Sequence, residues 1–238
     1  MAVKLEVCVD SVEGMLAAVR GGADRIELCS ALEVGGLTPS FGQMRAAAGV
    51  AVAVHALIRS RAGDFVFGPD EVAAMVADIG AARAAGLAGV VIGASLPDGR
   101  LDAASLGAMK AAAAGMSVTL HRAFDLVPDF AGAVEVAAGL GLDRILTSGG
   151  AVGAPGGAEA LARIVAMARG RVGIMPGAGI TAANVGDLLA RVRVGEVHSS
   201  CSGAIVLDAR AVALGFGAAE RLVTSEAEVR ALKAALGG

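Results

Sequence analysis

The sequence has no tryptophan and no tyrosine, six phenylalanines, three histidines, three cysteines and three lysines. Each scarcity excludes something. With no basic stretch, no aromatic stacking platform beyond a few phenylalanines and a formal net charge of −3, the chain lacks the footprint of a nucleic-acid binder. No charge-free apolar run reaches the roughly eighteen residues of a membrane span, and Val172 to Gly186 is broken by glycine, proline and asparagine. Lys4 and Glu6 interrupt the start, so no secretory leader is expected. An odd number of cysteines with no framework spacing fits free thiols in a reducing cytoplasm. No glycine fingerprint follows the first strand, which argues against a dinucleotide-binding sheet. His-Glu-x-x-His and Gly-x-Ser-x-Gly are both missing, and with them common zinc-hydrolase and serine-hydrolase signatures. Lys4, Lys110 and Lys233 lie at the wrong end of a strand or in helical stretches, so no Schiff-base lysine is placed for a class I aldolase.

What remains is a chain of 238 residues, 55% hydrophobic and 18% charged, with a mean hydropathy of +0.69. It can bury a sizeable core in one domain spanning residues 1–238. Short β-branched runs alternate with alanine-rich helical stretches from end to end. Strands are expected near Lys4–Val9, Arg25–Cys29, Val52–Ile58, Gly89–Gly93, Ser117–His121, Arg144–Ser148, Arg171–Met175 and Glu196–Ser200. Their starts lie about one βα unit apart. Eight such units in this length point to an α/β fold, a single (β/α)8 TIM barrel. Helix-start signals follow several strands: Asp10-Ser11, Thr38-Pro39-Ser40, Pro69-Asp70-Glu71, Pro128-Asp129 and Thr181. Gly22-Ala23-Asp24-Arg25-Ile26 recurs as Gly141-Leu142-Asp143-Arg144-Ile145, 119 residues later and half the chain length away. A duplicated half-barrel would produce this, and so would a generic helix-to-strand turn. The stretch from Gly203 to Thr224 is hard to read, and parts of it would wrap the barrel or join an interface.

Barrel active sites lie at the C-terminal strand ends, so the polar residues there are the ones to weigh. His55, His121 and His198 all fall in or at the end of strands. Glu6-x-Cys8 and Glu27-x-Cys29 repeat one pattern on strands one and two, and period-two alternation puts each Glu and its Cys on one face. Inward-facing carboxylates need partners or stay protonated. Arg25, Arg59, Arg61, Arg122 and Arg144 are available. The pair is then either a structural Arg–Glu plug or an acid–base resource. Cys8 and Cys29, on neighbouring strands, are either small buried hydrophobes or two thiolates for a soft ion such as Cu(I). Arg59 and Arg61 beside Gly63-Asp64 read as an anion clamp or a loop anchor. His121, Arg122 and Asp125 pack an imidazole, a guanidinium and a carboxylate into one short stretch. The late loops, with Ser148-Gly149, Gly177, Gly179 and Ser199, fit a phosphate or carboxylate pocket or a set of tight turns.

Leu5-Glu6-Val7-Cys8-Val9-Asp10-Ser11, Gly22 to Ser30, Gly35-Gly36-Leu37-Thr38-Pro39-Ser40, Ile58-Arg59 with Gly63-Asp64-Phe65, His121 to Asp125, Leu146 to Gly149 and Glu196 to Ser200 together resemble the CutC family, in family order over residues about 5 to 200. The resemblance implies a cytoplasmic (β/α)8 barrel, often a homodimer, named for copper homeostasis. It implies copper ligands at Cys8 and Cys29, which end strands one and two. Ser60 and Ala62 stand where the family usually has proline and glycine, and the chain diverges after His198.

Two functional expectations follow. One is a copper-handling protein binding Cu(I) through Cys8 and Cys29. The other is an enzyme acting on a small anionic or phosphorylated ligand. Its catalytic candidates are Glu6, Glu27, His121, Arg122, Asp125 and His198, with His121 and His198 as the acid or base. Its anion-binding candidates are Arg59, Arg61, Ser148, Gly149, Gly177, Gly179 and Ser199. A scaffold without chemistry is a weaker third. Neither nucleic acid nor membrane is an expected partner.

Overall fold

Alternation decides where each strand residue goes. Leu5, Val7, Val9, Ile26, Leu28, Val54, Ala56, Val90, Ile92, Val118, Leu120, Ile145 and Val197 all join one large core cluster. Burying these side chains against helices contributes roughly 1.5–3 kcal/mol for each large one. The intervening residues face the other way, into the barrel. There a separate small cluster forms from Cys8, Cys29, Leu57 and Val91.

The computed structural model describes residues 3–237. Eight parallel strands run β1 (Lys4–Val9), β2 (Arg25–Leu28), β3 (Ala53–Leu57), β4 (Gly89–Ile92), β5 (Ser117–Leu120), β6 (Arg144–Thr147), β7 (Gly173–Pro176) and β8 (Glu196–Ser199). They are ordered β7-β6-β5-β4-β3-β2-β1-β8, so β8 returns to pair with β1. The helices between them are α1 (Val12–Gly21), α2 (Phe41–Ala47), α3 (Pro69–Ala85), α4 (Ala103–Ala112), α5 (Phe130–Gly139), α6 (Ala158–Ala168) and α7 (Val185–Arg191). This is the TIM-barrel architecture expected from the strand spacing.

Local chemistry sets the boundaries. The Ser11 hydroxyl caps α1, and Ser40 with Gln43 forms a capping box on α2. Pro69 opens α3, and Asp129 caps α5. The seventh strand starts two residues later than the sequence indicates. Arg169 and Gly170 both take positive φ, and the Arg171 N–H turns back to Ala168, so the chain is still leaving α6. The repeated turn does the same job twice. Asp24 Oδ2 accepts the Leu5 N–H at 2.7 Å, and Asp143 Oδ2 accepts the Val118 N–H at 2.7 Å.

After β8 the barrel departs from the simple repeat. An antiparallel hairpin of β9 (Ser202–Val206) and β10 (Glu220–Thr224) comes first, with the short α8 (Ala209–Ala213) between its strands. Only then does α9 (Glu226–Ala235) take the eighth helix position. α9 buries Val229 and Leu232. It approaches α1 so closely that a Cβ on Gly21 would lie 2.6 Å from that of Val229. Arg20–Glu226 and Lys233–Asp24 ion pairs flank this contact. No described helix is long and apolar enough to cross a membrane.

Candidate functional site

The barrel interior is polar in two storeys. In the lower one Arg25 bonds both Glu6 and Glu196. Arg144 lies 3.5 Å from Glu196 and donates to the hydroxyls of Ser117 and Thr119. Glu6 and Arg25 are almost fully buried. A buried charge is costly unless it is paired, and four residues from four strands pair their charges together, with Glu6 Oε1 and Arg144 Nε left without a hydrogen bond among the described residues. Glu6 therefore belongs to the structural plug and does not line the mouth cavity.

In the upper storey the register sets Cys8 opposite Glu27 and Glu6 opposite His198. Donor atoms of Cys8, Glu27 and His198 lie within 4.8 Å of one another. Glu27 Oε2 is 2.8 Å from His198 Nε2. Burial pushes the His198 pKa down, but the neighbouring Cys8 sulfur and the Glu27 carboxylate outweigh it, leaving the value well raised. Cys29 stands diagonally from Cys8, because the ladder pairs Cys8 with Glu27. The cysteines thus do not face each other directly across the strands. Cys29 is almost completely enclosed. Burial and the charges of Glu27 and Cys8 hold its thiol protonated. The two sulfurs are unequal: Cys8 belongs to the compact donor triad, and Cys29 backs it.

His55 sits inside the barrel against Gly89, where burial lowers its pKa to about 4. His121 ends β5 and starts a short 3-10 turn, with its Nδ1 accepting the Ala123 N–H at 3.0 Å. Asp125 is consumed locally. Its carboxylate accepts from Arg122 Nε, the Thr147 and Ser148 hydroxyls and the N–H groups of Ser148 and Gly150. The glycine loop that looked ready for an anion is filled by the protein's own carboxylate. Gly149 donates its N–H to the Thr147 hydroxyl. Arg61 is also spent, on Asp64, Glu71 and the Val66 carbonyl, and anchors its loop. Gly177, just after β7, leaves room for Leu146 of β6 and His198 of β8, since a Cβ there would sit 2.4 Å from the first and 3.2 Å from the second. The Ser199 hydroxyl donates to the Ile180 carbonyl, and the Gly179 carbonyl accepts from Asn184.

Above these residues lies a cavity of about 950 Å³. Its walls include Cys8, Glu27, Cys29, Arg59, His121, Arg122, Gly179 and His198 of the expected set. Arg61, Asp125, Ser148, Gly149, Gly177 and Ser199 are not among its lining residues. One whole wall was missed from sequence. Leu207, Phe216, Leu222 and Val223 of the hairpin segment line the cavity, and Arg221 ties the hairpin to Asp10 at 3.2 Å. The only signal for it was negative, an apolar stretch after His198 that fits no barrel helix.

Fold and site together define a parallel β/α barrel with a thiol–imidazole–carboxylate cluster under an open mouth. The chain belongs to the CutC family, whose model matches residues 3–203. A CutC family protein of Sinorhizobium medicae is 58% identical over 233 residues, covering 98% of this chain and 95% of that protein. CutC from Streptococcus agalactiae, a candidate copper homeostasis protein, has a solved structure that superposes with a TM-score of 0.80. It is 27% identical and covers 83% of this chain and 98% of that one. A thiamine phosphate pyrophosphorylase from Pyrococcus furiosus, 16% identical with a TM-score of 0.62, shares the fold alone; the match covers 99% of this chain and 96% of that one. The family match stops at Gly203, close to where β8 gives way to the hairpin.

Proposed function

We propose that this chain is a copper-handling member of the CutC family and that a Cu(I) ion is its cargo. The observation that carries this reading is the convergence of Cys8, His198 and Glu27 within 4.8 Å at the floor of the mouth cavity. A soft ion prefers sulfur and imidazole donors, and Cys8 and His198 supply one of each. Glu27 Oε2 bonds the His198 Nε2, so ion binding would release the proton the two share and leave the carboxylate within reach of the ion. Cys29 is the second sulfur, recruited when a cation offsets the charge that holds it protonated. Three free thiols suit a reducing compartment, so the cytoplasm is the proposed location. The homodimer implied by the resemblance belongs to the same reading. Val206 and Leu214, 82% and 63% exposed on the hairpin segment and outside the cavity lining, support a contact there.

The test is a Cu(I) titration under reducing conditions against a competing chelator, with folding checked by circular dichroism. Wild-type protein binds one ion per chain. Cys8→Ser weakens binding by roughly tenfold or more, and Cys8→Ser with Cys29→Ser abolishes it. Unchanged affinity in the folded double variant would sink the proposal.

A further inference from the structure

Among the described residues, Arg59 is a buried cation without a counter-ion. It follows β3 and is 5% exposed. Nη1 donates to the carbonyls of Val34 and Gly36 at 3.0 Å each, and Nη2 to the Gly63 carbonyl at 2.8 Å. These are neutral acceptors. Its Nε–H has no partner among the described residues. The other arginines near the mouth are neutralised: Arg61 by Asp64 and Glu71, Arg122 by Asp125, Arg221 by Asp10. A buried charge left unpaired is costly, so Arg59 stands out among neighbours that are all compensated.

His121 supplies a second unspent donor beside it. Because Nδ1 accepts the Ala123 N–H, the proton of the neutral ring resides on Nε2. Burial first, then the charge of Arg59, lowers the pKa to about 3, so the ring is neutral at pH 7. Nε2 is buried and has no partner among the described residues. Both side chains meet one aromatic ring. The Phe65 centroid lies 5.0 Å from the Arg59 Cζ and 4.7 Å from the His121 ring centroid. Arg59, His121 and Phe65 all line the mouth cavity.

Two unpaired donors, one of them charged, call for an acceptor-rich anion. The cavity, at about 950 Å³, has the size of an organic-ligand site and far exceeds the needs of a metal ion. We propose that the mouth cavity binds a small organic acid, its carboxylate or phosphate monoester received by Arg59 and His121 and its apolar part lying against Leu32, Phe216 and Leu222. Phe65, half-buried over both donors, turns aside to admit the acidic group. This site shares the cavity with the Cys8–Glu27–His198 cluster but none of its donor atoms, so either reading can fail without the other.

The experiment is calorimetric titration of metal-free protein at pH 7 with phenyl phosphate, phenylacetate and inorganic phosphate. At least one organic probe binds one to one, and more tightly than inorganic phosphate. The stronger of the two separates a phosphate site from a carboxylate site. Arg59→Gln weakens that binding by about tenfold or more, whereas Arg163→Gln, on the exposed face of α6 away from the cavity, leaves it unchanged. Absence of binding by both organic probes, or equal binding by wild type and Arg59→Gln, would overturn the proposal. If Arg59→Gln does not fold, the Arg59 Nε–H resonance of wild-type protein answers the same question. It shifts on saturation with the bound probe, and a resonance that stays put counts against the site.

Discussion

The lower and upper storeys of the barrel interior are built from similar side chains and end in opposite states. Below, Arg25, Glu6, Glu196 and Arg144 pair charge with charge, and the hydroxyls of Ser117 and Thr119 accept from Arg144, with Glu6 Oε1 and Arg144 Nε left over. Above, Cys8, Glu27 and His198 converge at the floor of the cavity, and Arg59 and His121 keep donors with no acceptor among the described residues. Charge inside a barrel is therefore no guide to chemistry by itself. What distinguishes the two storeys is charge pairing and access: Arg59 lines the mouth cavity without a carboxylate partner, whereas Glu6, Arg25, Arg144 and Glu196 are paired and do not line it. The Asp125 loop makes the same point from the other side. Its glycines and N–H groups resemble an anion cradle, but the cradle already holds a carboxylate.

The contrast can be broken from below. Arg25→Met removes the cation that two carboxylates share and leaves Glu6 buried and unpaired. Breaking a buried pair in this way costs about 3–5 kcal/mol, to be read from urea unfolding midpoints at pH 7. A loss under about 1 kcal/mol would mean that the lower storey is not a structural plug.

Acid offers a second, smaller lever. The His55 pKa is about 4 in the folded chain against 6.5 for a free histidine, because burial disfavours its charged form. The unfolded chain therefore takes up a proton below pH 6.5 that the folded chain refuses. The stability due to neutral His55 is complete above that value and is lost as pH falls towards 4. The expected loss is of order 3 kcal/mol. His55→Asn removes about one proton from the slope of stability against pH between those limits, and an unchanged slope would contradict the assignment. His198, with its raised value, acts in the opposite sense: its contribution is present below the free value and fades as pH rises through the folded one. The two histidines sharpen the comparison, one kept neutral by its surroundings and one kept charged.

Much of this was legible in the sequence, for identifiable reasons. Strands buried on their helix-facing side by β-branched residues announce themselves, and β1 falls on the residues its pattern indicates. The alternation that sends Leu5 and Val7 outward sends Glu6 and Cys8 inward, so the polar interior was foreseeable as well. The repeated Gly-x-Asp-Arg turn was visible, although its work, an aspartate accepting a strand N–H, needed coordinates. Two things could not be read. One is how donors are spent: Arg59 and Arg61 look alike in sequence, yet Arg61 meets two carboxylates and Arg59 none. The other is the hairpin. It exposes Val206, Phe216 and Leu222, which breaks the burial pattern that sequence reading relies on. Its place over the mouth depends on Arg221 reaching Asp10, 211 residues away along the chain.

The claim at the centre of this account is that the unsaturated upper storey is where copper is held. X-ray absorption at the copper edge of Cu(I)-loaded protein tests it most directly. A first shell containing sulfur and imidazole nitrogen, with the sulfur contribution reduced in Cys8→Ser, is the predicted result. A shell of oxygen and nitrogen alone, indifferent to Cys8, would contradict it.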